Sequence, residues 1–229
     1  MSATALSYAL LSGLLPSFIW LFFWLREDHD HPEPRSLLAA CFFGGILAVA
    51  AAVLAEQYIA DIYTDTTMRY ILWAAAEEIL KFVAVAVVAL HASANDEPID
   101  AMIYCIVTAL GFAALENALF IMGPLSNGEI AKAIVSGNMR FIGATLLHTV
   151  SSAMVGFSLG IVFYKDISTK FIAAIIGLGA AITIHAAFNL SIVNANSLDT
   201  LRTFSWIWGG VVILIVLFEE VKVVRPKLW

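Results

Sequence analysis

The chain has 229 residues, 61% of them hydrophobic and only 13% charged, with a mean hydropathy of +0.90. A water-soluble domain of this length could not hide that much apolar surface, so composition excludes a soluble globular enzyme and indicates a polytopic α-helical membrane protein. The formal charge of −6 and the lack of a basic run exclude nucleic acid as a partner.

A bilayer-crossing helix needs about 20 apolar residues, and seven stretches qualify. The first, about residues 3–25, contains Pro16 as an expected kink. It has no basic leader and no clear cleavage site, so it reads as a retained span and not a signal peptide. The polar loop REDHDHPEPR follows; His29 and His31 lie there beside Asp28 and Asp30 and read as solvated charge rather than a metal site. The second span is about residues 36–56, followed by an acidic connection with Asp61 and Asp65. Glu56, Asp61 and Asp65 could shape substrate entry, with a solvated outer loop as the expected reading. The third span, about 69–91, ends at His91, which should meet the interface, and leads into the turn SANDEP. The fourth is about 99–122. The linker 123–137, with room for a short interfacial helix, precedes the fifth span at about 138–163. The sixth, about 171–193, and the seventh, about 204–220, complete one domain covering 1–229, with a catalytic core at about 69–193. Cys41 and Cys105 fall inside apolar runs and read as packing thiols.

Loop charge orients the bundle. Arg26, Arg35, Lys165, Lys170, Lys222, Arg225 and Lys227 gather on one side; Arg69, Lys132, Arg140 and Arg202 lie on the other. This places the N-terminus outside and the C-terminus in the cytoplasm. Trp206, Trp208 and Trp229 suit interfacial anchoring.

Four spans carry ionisable groups where a bilayer should hold none. Glu77, Glu78 and Lys81 fall within five positions of the third span, although each charge at mid-helix costs about 2.5–3.5 kcal/mol on insertion scales. The fourth, fifth and sixth spans hold Glu116, His148 and His185. Counted from the outer helix ends, Glu77, Glu116, His148 and His185 all lie roughly 9–15 Å deep, although neighbouring spans run in opposite directions. This common depth predicts one shared polar site in the outer half of the bilayer. Glu77 and Lys81, i and i+4, share a face, and the lysine can neutralise one of the two adjacent carboxylates. Phe112 lies one turn before Glu116, with Asn117 beside it. Ser152 lies one turn after His148 and is expected to orient that ring. Asn189 lies one turn after His185. Ser152, Gly156 and Gly160 make a stripe of small residues for close helix packing. Arg140, two turns outward from His148, either binds a carboxylate or reaches the interface, and the interface is the preferred reading.

The ordered motifs EEILK (Glu77, Glu78, Lys81), FAALEN (Phe112, Glu116, Asn117), HTVSS (His148, Ser152) and HAAFN (His185, Asn189) resemble those of PrsW-type intramembrane proteases. That group is similar to the wider superfamily of CAAX prenyl endopeptidases and bacteriocin-processing enzymes. The resemblance covers about half the chain. It implies cleavage of a peptide bond in or near the bacterial plasma membrane, with a membrane-bound anti-sigma factor as a substrate of the kind such proteins cut from the extracytoplasmic side. The chain departs from the CAAX endopeptidases in having EExxK for EExxxR, and Glu116 where their second motif ends in histidine.

Catalysis is therefore expected from Glu77, Glu78, Glu116, His148, His185 and Asn189, supported by Lys81, Phe112, Asn117 and Ser152. Glu77 is the preferred general base, His148 a holder of water or proton donor, and His185 with Asn189 the oxyanion donors. Metal-free glutamate chemistry is preferred. Zinc held by Glu77, Glu116, His148 and His185 is the alternative, although the chain has no HExxH. A proton- or ion-coupled transporter is the reading from another class; the chain shows no repeated halves to support it.

Overall fold

The structure, a computed structural model, describes residues 3–26, 31–193 and 197–226. Asp28, His29, Asp30, Lys227 and Trp229 lie outside the described residues. Among the described residues seven helices follow one another: α1 Ala3–Trp24, α2 Arg35–Ile62, α3 Thr66–Val88, α4 Asp100–Ser126, α5 Ile130–Gly160, α6 Ile167–Val193 and α7 Ser197–Lys222. No strand occurs among the described residues. The chain is an all-α bundle, as its composition requires, and an integral membrane protein.

Six of these helices are long and apolar enough to cross a bilayer. The exception is α3, and the reason is charge: its 23 residues include Arg69, Glu77, Glu78 and Lys81. It is long enough to cross, and it packs along α2 and α6 with Glu77, Glu78 and Lys81 turned inward.

At the centre stands α4. Every residue from Asp100 through Ala114 is buried, which a helix achieves only when neighbours surround it. It packs along α1, α2 and α5. Its crossing with α2 is very tight: a Cβ on Gly45 would meet the Thr108 carbonyl oxygen at 1.9 Å, and one on Gly111 would meet that of Phe42 at 2.0 Å. On the other side, a Cβ on Gly156 of α5 would lie 2.5 Å from the Met102 Cα, so the small-residue stripe does bring two helices close. A groove of about 710 Å³ lies between α1 and α2, lined by Leu14, Phe18, Phe42, Ile46 and Arg35, and Phe18 stacks on Phe42 across it with centroids 5.5 Å apart. The last helix buries Ile207, Val211, Leu214, Phe218 and Val221, a 4-3-4-3 spacing that points one face into the core. Trp24 stacks on Phe218 with centroids 5.4 Å apart, and Trp20 meets Trp208 at 5.7 Å, so the first and last helices meet through aromatic rings.

The linker 123–137 departs from expectation. Pro124 lies inside α4, in its last turn, where its missing N–H removes one helical bond without ending the helix early. The turn comes only around Gly128, whose φ of +74° a glycine adopts at no steric cost. A π-helical turn, Arg140–Ala144, interrupts α5 between α-helical Ile130–Met139 and Thr145–Gly160. Cys41 and Cys105 are buried free thiols.

Candidate active site

The site is assembled from α3, α4, α5 and α6, the four helices that carry ionisable groups at matching depth. Glu77, Glu78, Lys81, His148 and His185 are all buried, none more than 5% exposed. Burial at this level requires that each charge find a partner.

Glu78 has the most. Its Oε1 accepts from Lys81 Nζ at 2.6 Å, from Ser151 Oγ at 2.8 Å and from His185 Nδ1 at 2.7 Å. Its Oε2 accepts from Ser152 Oγ at 3.1 Å. Glu78 is therefore a fully satisfied anchor that ties α3 to α5 and α6. Lys81 neutralises Glu78, its i−3 neighbour, and not Glu77 on its own face. Ser152 does not orient His148, contrary to the i,i+4 expectation: its hydroxyl turns across to Glu78, because a buried carboxylate is the stronger acceptor.

His148 is held from both ends. Lys81 Nζ donates to its Nδ1 at 3.0 Å, and its Nε2 faces Glu116 Oε2 at 2.8 Å. A neutral ring protonated on Nε2 satisfies both contacts. Phe112 packs beside this ring, with centroids 5.4 Å apart, and places its own face 5.1 Å from Lys81 Nζ.

Glu116 also accepts from Arg140 Nη2 at 2.5 Å, while Arg140 Nε donates to Asn117 Oδ1 at 2.6 Å. Asn117 Nδ2 in turn donates to Thr145 Oγ1 at 2.9 Å. Arg140 is thus drawn into the bundle and does not reach for the interface. Its position at the start of the π-helical turn, eight residues before His148, puts it within reach of a carboxylate two turns away.

Glu77 is the opposite of Glu78. Its Oε2 is buried and accepts no hydrogen bond. It lies 3.9 Å from His148 Nδ1 and 3.8 Å from His185 Nε2. Each imidazole has its other nitrogen on a carboxylate, Glu116 or Glu78; His185 Nε2 therefore turns a lone pair toward Glu77, while the His148 Nδ1 lone pair, on the same side, accepts from Lys81. The three side chains offer ligand atoms all within 4.8 Å of one another. Glu116 is not part of this group; the expected four-ligand set contracts to Glu77, His148 and His185, because Glu116 is taken up by Arg140 and by the far side of the His148 ring.

Asn189 stands one turn beyond His185, half-buried, outside the hydrogen bonds that join the cluster. Glu56, read from sequence first as solvated loop, belongs instead to α2 and is half-buried. It lines a cleft of about 240 Å³ between α2 and α4, together with Glu116 and Phe112. Asp61 and Asp65 are exposed, and Asp65 caps α3 by accepting from Met68 N at 2.7 Å. His91 is exposed at its helix end, beside the Ala86 carbonyl. Arg140, Ser151, Thr145 and Glu56 are the participants that motif spacing missed. For Ser151 the signal was present in the second serine of HTVSS; for Glu56 there was none, since α2 carries no motif.

The sequence profile of the PrsW family, described as intramembrane metalloproteases, matches residues 33–219. The chain belongs to this family. Among curated relatives, it is 26% identical to Protease PrsW of Geobacillus kaustophilus over 157 residues, 67% of this chain and 66% of that protein. It is 22% identical to Protease PrsW of Shouchella clausii, over 78% of this chain and 80% of that one. It is 23% identical to Protease PrsW of Bacillus subtilis, over 67% and 68%. No solved structure matches. The match takes in all four ionisable helices, so the buried cluster lies inside the part that this PrsW-family chain shares with its relatives.

Proposed function

We propose that this protein is an intramembrane endopeptidase that cuts a membrane-embedded protein at the layer of Glu77, His148 and His185, and that these three side chains hold a divalent metal ion such as zinc. The observation that carries the reading is the convergence on Glu77 Oε2. A buried carboxylate oxygen without a hydrogen bond faces an imidazole nitrogen of His185 at 3.8 Å and one of His148 at 3.9 Å, and each imidazole is backed by a carboxylate. Carboxylate–histidine pairs of this kind orient metal-ligating rings. Three protein ligands with an open fourth position is the pattern of catalytic zinc, which lowers the pKa of bound water and polarises carbonyls.

The chain's own residues supply the rest. Glu78, fixed by Lys81, Ser151 and Ser152, sets the tautomer of His185. Glu116, fixed by Arg140, does the same for His148. Asn189 is available to a substrate carbonyl oxygen as a hydrogen-bond donor. The apolar walls around the cluster exclude bulk water and strengthen each of these interactions.

A second reading rests on one contact. Lys81 Nζ lies 3.0 Å from His148 Nδ1, where a metal ligand would need its lone pair. With that bond kept, the chemistry is metal-free and Glu77 is the general base. The substrate class implied by the family resemblance is a membrane-bound regulator such as an anti-sigma factor, cut from the outer side of a bacterial plasma membrane with the N-terminus outside.

The test is purified protein in proteoliposomes with membrane substrates. Glu77→Gln should lower cleavage by about 10²–10⁴-fold, the range for loss of an acid–base or activating group. Elemental analysis should find one metal per chain in the wild type and much less in His185→Ala, with chelator inhibition reversed by zinc. Stoichiometric absence of metal with intact, chelator-resistant activity would establish the metal-free reading. Solute flux without any cleavage would overturn both.

A further inference from the structure

The cleft beside the cluster has a chemistry of its own. It lies between α2 and α4 and has a volume of about 240 Å³, the space of roughly eight waters, enough for one long side chain. Val49, Ala52, Val53, Leu119 and Phe120 make its walls apolar. Two carboxylates face it, Glu56 and Glu116. Glu116 is already matched by Arg140 and His148. Lys81 is committed to Glu78. Among the described residues, no ion pair is formed at Glu56. Its backbone is nonetheless held firmly: Trp73 Nε1 donates to the Glu56 carbonyl at 3.0 Å, locking this turn of α2 against α3. The side chain leaves this anchored turn at the wall of an apolar cleft.

An apolar slot lined by an acidic group on an anchored helix turn suits a long aliphatic stem with a cationic tip. We infer that the α2–α4 cleft is a side-chain subsite that accepts a lysine or arginine of the substrate close to the scissile bond, and that Glu56 is its specificity-determining residue. The stem would lie along Val49, Val53 and Phe120, and the charged end would meet Glu56. The inference rests on the peptidase reading above and deepens it: the peptide bond beside such a residue would be delivered to Glu77 by a contact made one helix away.

The experiment compares wild type, Glu56→Gln and Glu77→Gln in membranes of cells lacking other copies, with new protein termini mapped by mass spectrometry. Cuts present in wild type and missing in Glu77→Gln should carry lysine or arginine at one fixed position relative to the cut. Two membrane-spanning reporter peptides built on such a cut, differing only in lysine or methionine at that position, are then assayed in proteoliposomes. The ratio of kcat/KM for lysine over methionine should fall about 10-fold or more in Glu56→Gln. This ratio is insensitive to general damage to the fold, and the Trp73 contact uses only the backbone, which the variant keeps. An unchanged ratio, or wild-type cuts with no basic preference, would overturn the subsite. A complete lack of Glu77-dependent cuts would overturn the peptidase reading itself, and the subsite with it.

Discussion

Lys81 and Glu78 are the residues whose pairing leaves Glu77 uncommitted. Lys81 is 2% exposed and Glu78 is 1% exposed, so neither charge can be hydrated if the other is removed. Lys81→Met should therefore destabilise the folded protein by about 3–5 kcal/mol, the cost of stranding one partner of a buried pair. Thermal unfolding in detergent measures this. The double variant Lys81→Met, Glu78→Gln should recover part of the loss, because it removes both charges; no recovery would mean that the pair does not act as a unit. At this scale the sequence was informative about which residues matter and poor on who binds whom. Glu77 and Lys81 share a face by spacing, yet the lysine bends to Glu78. Ser152 sits one turn from His148, yet it serves Glu78 on another helix. Helical spacing gives neighbours on a single rod, whereas a buried carboxylate recruits donors from every rod around it.

Between helices, the crossing of α2 and α4 sets where Glu56 and Glu116 stand. A methyl group at Gly45 would fall 1.9 Å from the Thr108 carbonyl oxygen, backbone that cannot step aside without moving a helix. Gly45→Ala should cost about 1–3 kcal/mol by overpacking. Gly179 meets nothing within 4 Å, so Gly179→Ala should be neutral or stabilising by about 0.5–1 kcal/mol, since alanine is the better helix former. Parallel melting curves of the two variants check both expectations, and equal shifts would refute the tight crossing. All seven helices could be located, although α3 carries more charge than a plain apolar span, and some ends lay one to two turns off: α5 begins at Ile130 rather than about 138, and α7 at Ser197 rather than about 204. The π-helical turn at Arg140–Ala144 could not be foreseen. It is set by Arg140 reaching Glu116 on α4, a tertiary contact with no local signature. Arg140 therefore read as an interfacial residue when only its own helix was considered.

For the whole molecule, the loop charges give a direction that labelling can check. Cys41 and Cys105 are buried, so a single introduced cysteine reports alone. Asp166 and Asn127 are exposed in connections at opposite ends of α5. With a membrane-impermeant maleimide on intact cells, Asn127→Cys should label and Asp166→Cys should label only after the membrane is opened. The reverse pattern would invert the topology and move the Glu77 layer to the cytoplasmic half. Common depth was the whole-molecule property most legible from the chain, because a charge inside an apolar run has few places to go. The cleft at Glu56 was not legible, since a glutamate at the end of a span looks the same whether it faces water or a neighbouring helix.

The aromatic contacts of Trp20 with Trp208 and Trp24 with Phe218 have a consequence for biogenesis. The four helices that build the buried polar cluster leave the ribosome before the seventh, so their polar groups can find each other while the bundle is still open on one flank. The final helix then works as a clasp fastened onto the opening one, and a nascent chain halted ahead of it would leave two tryptophans turned toward the lipid, a natural handle for membrane quality control.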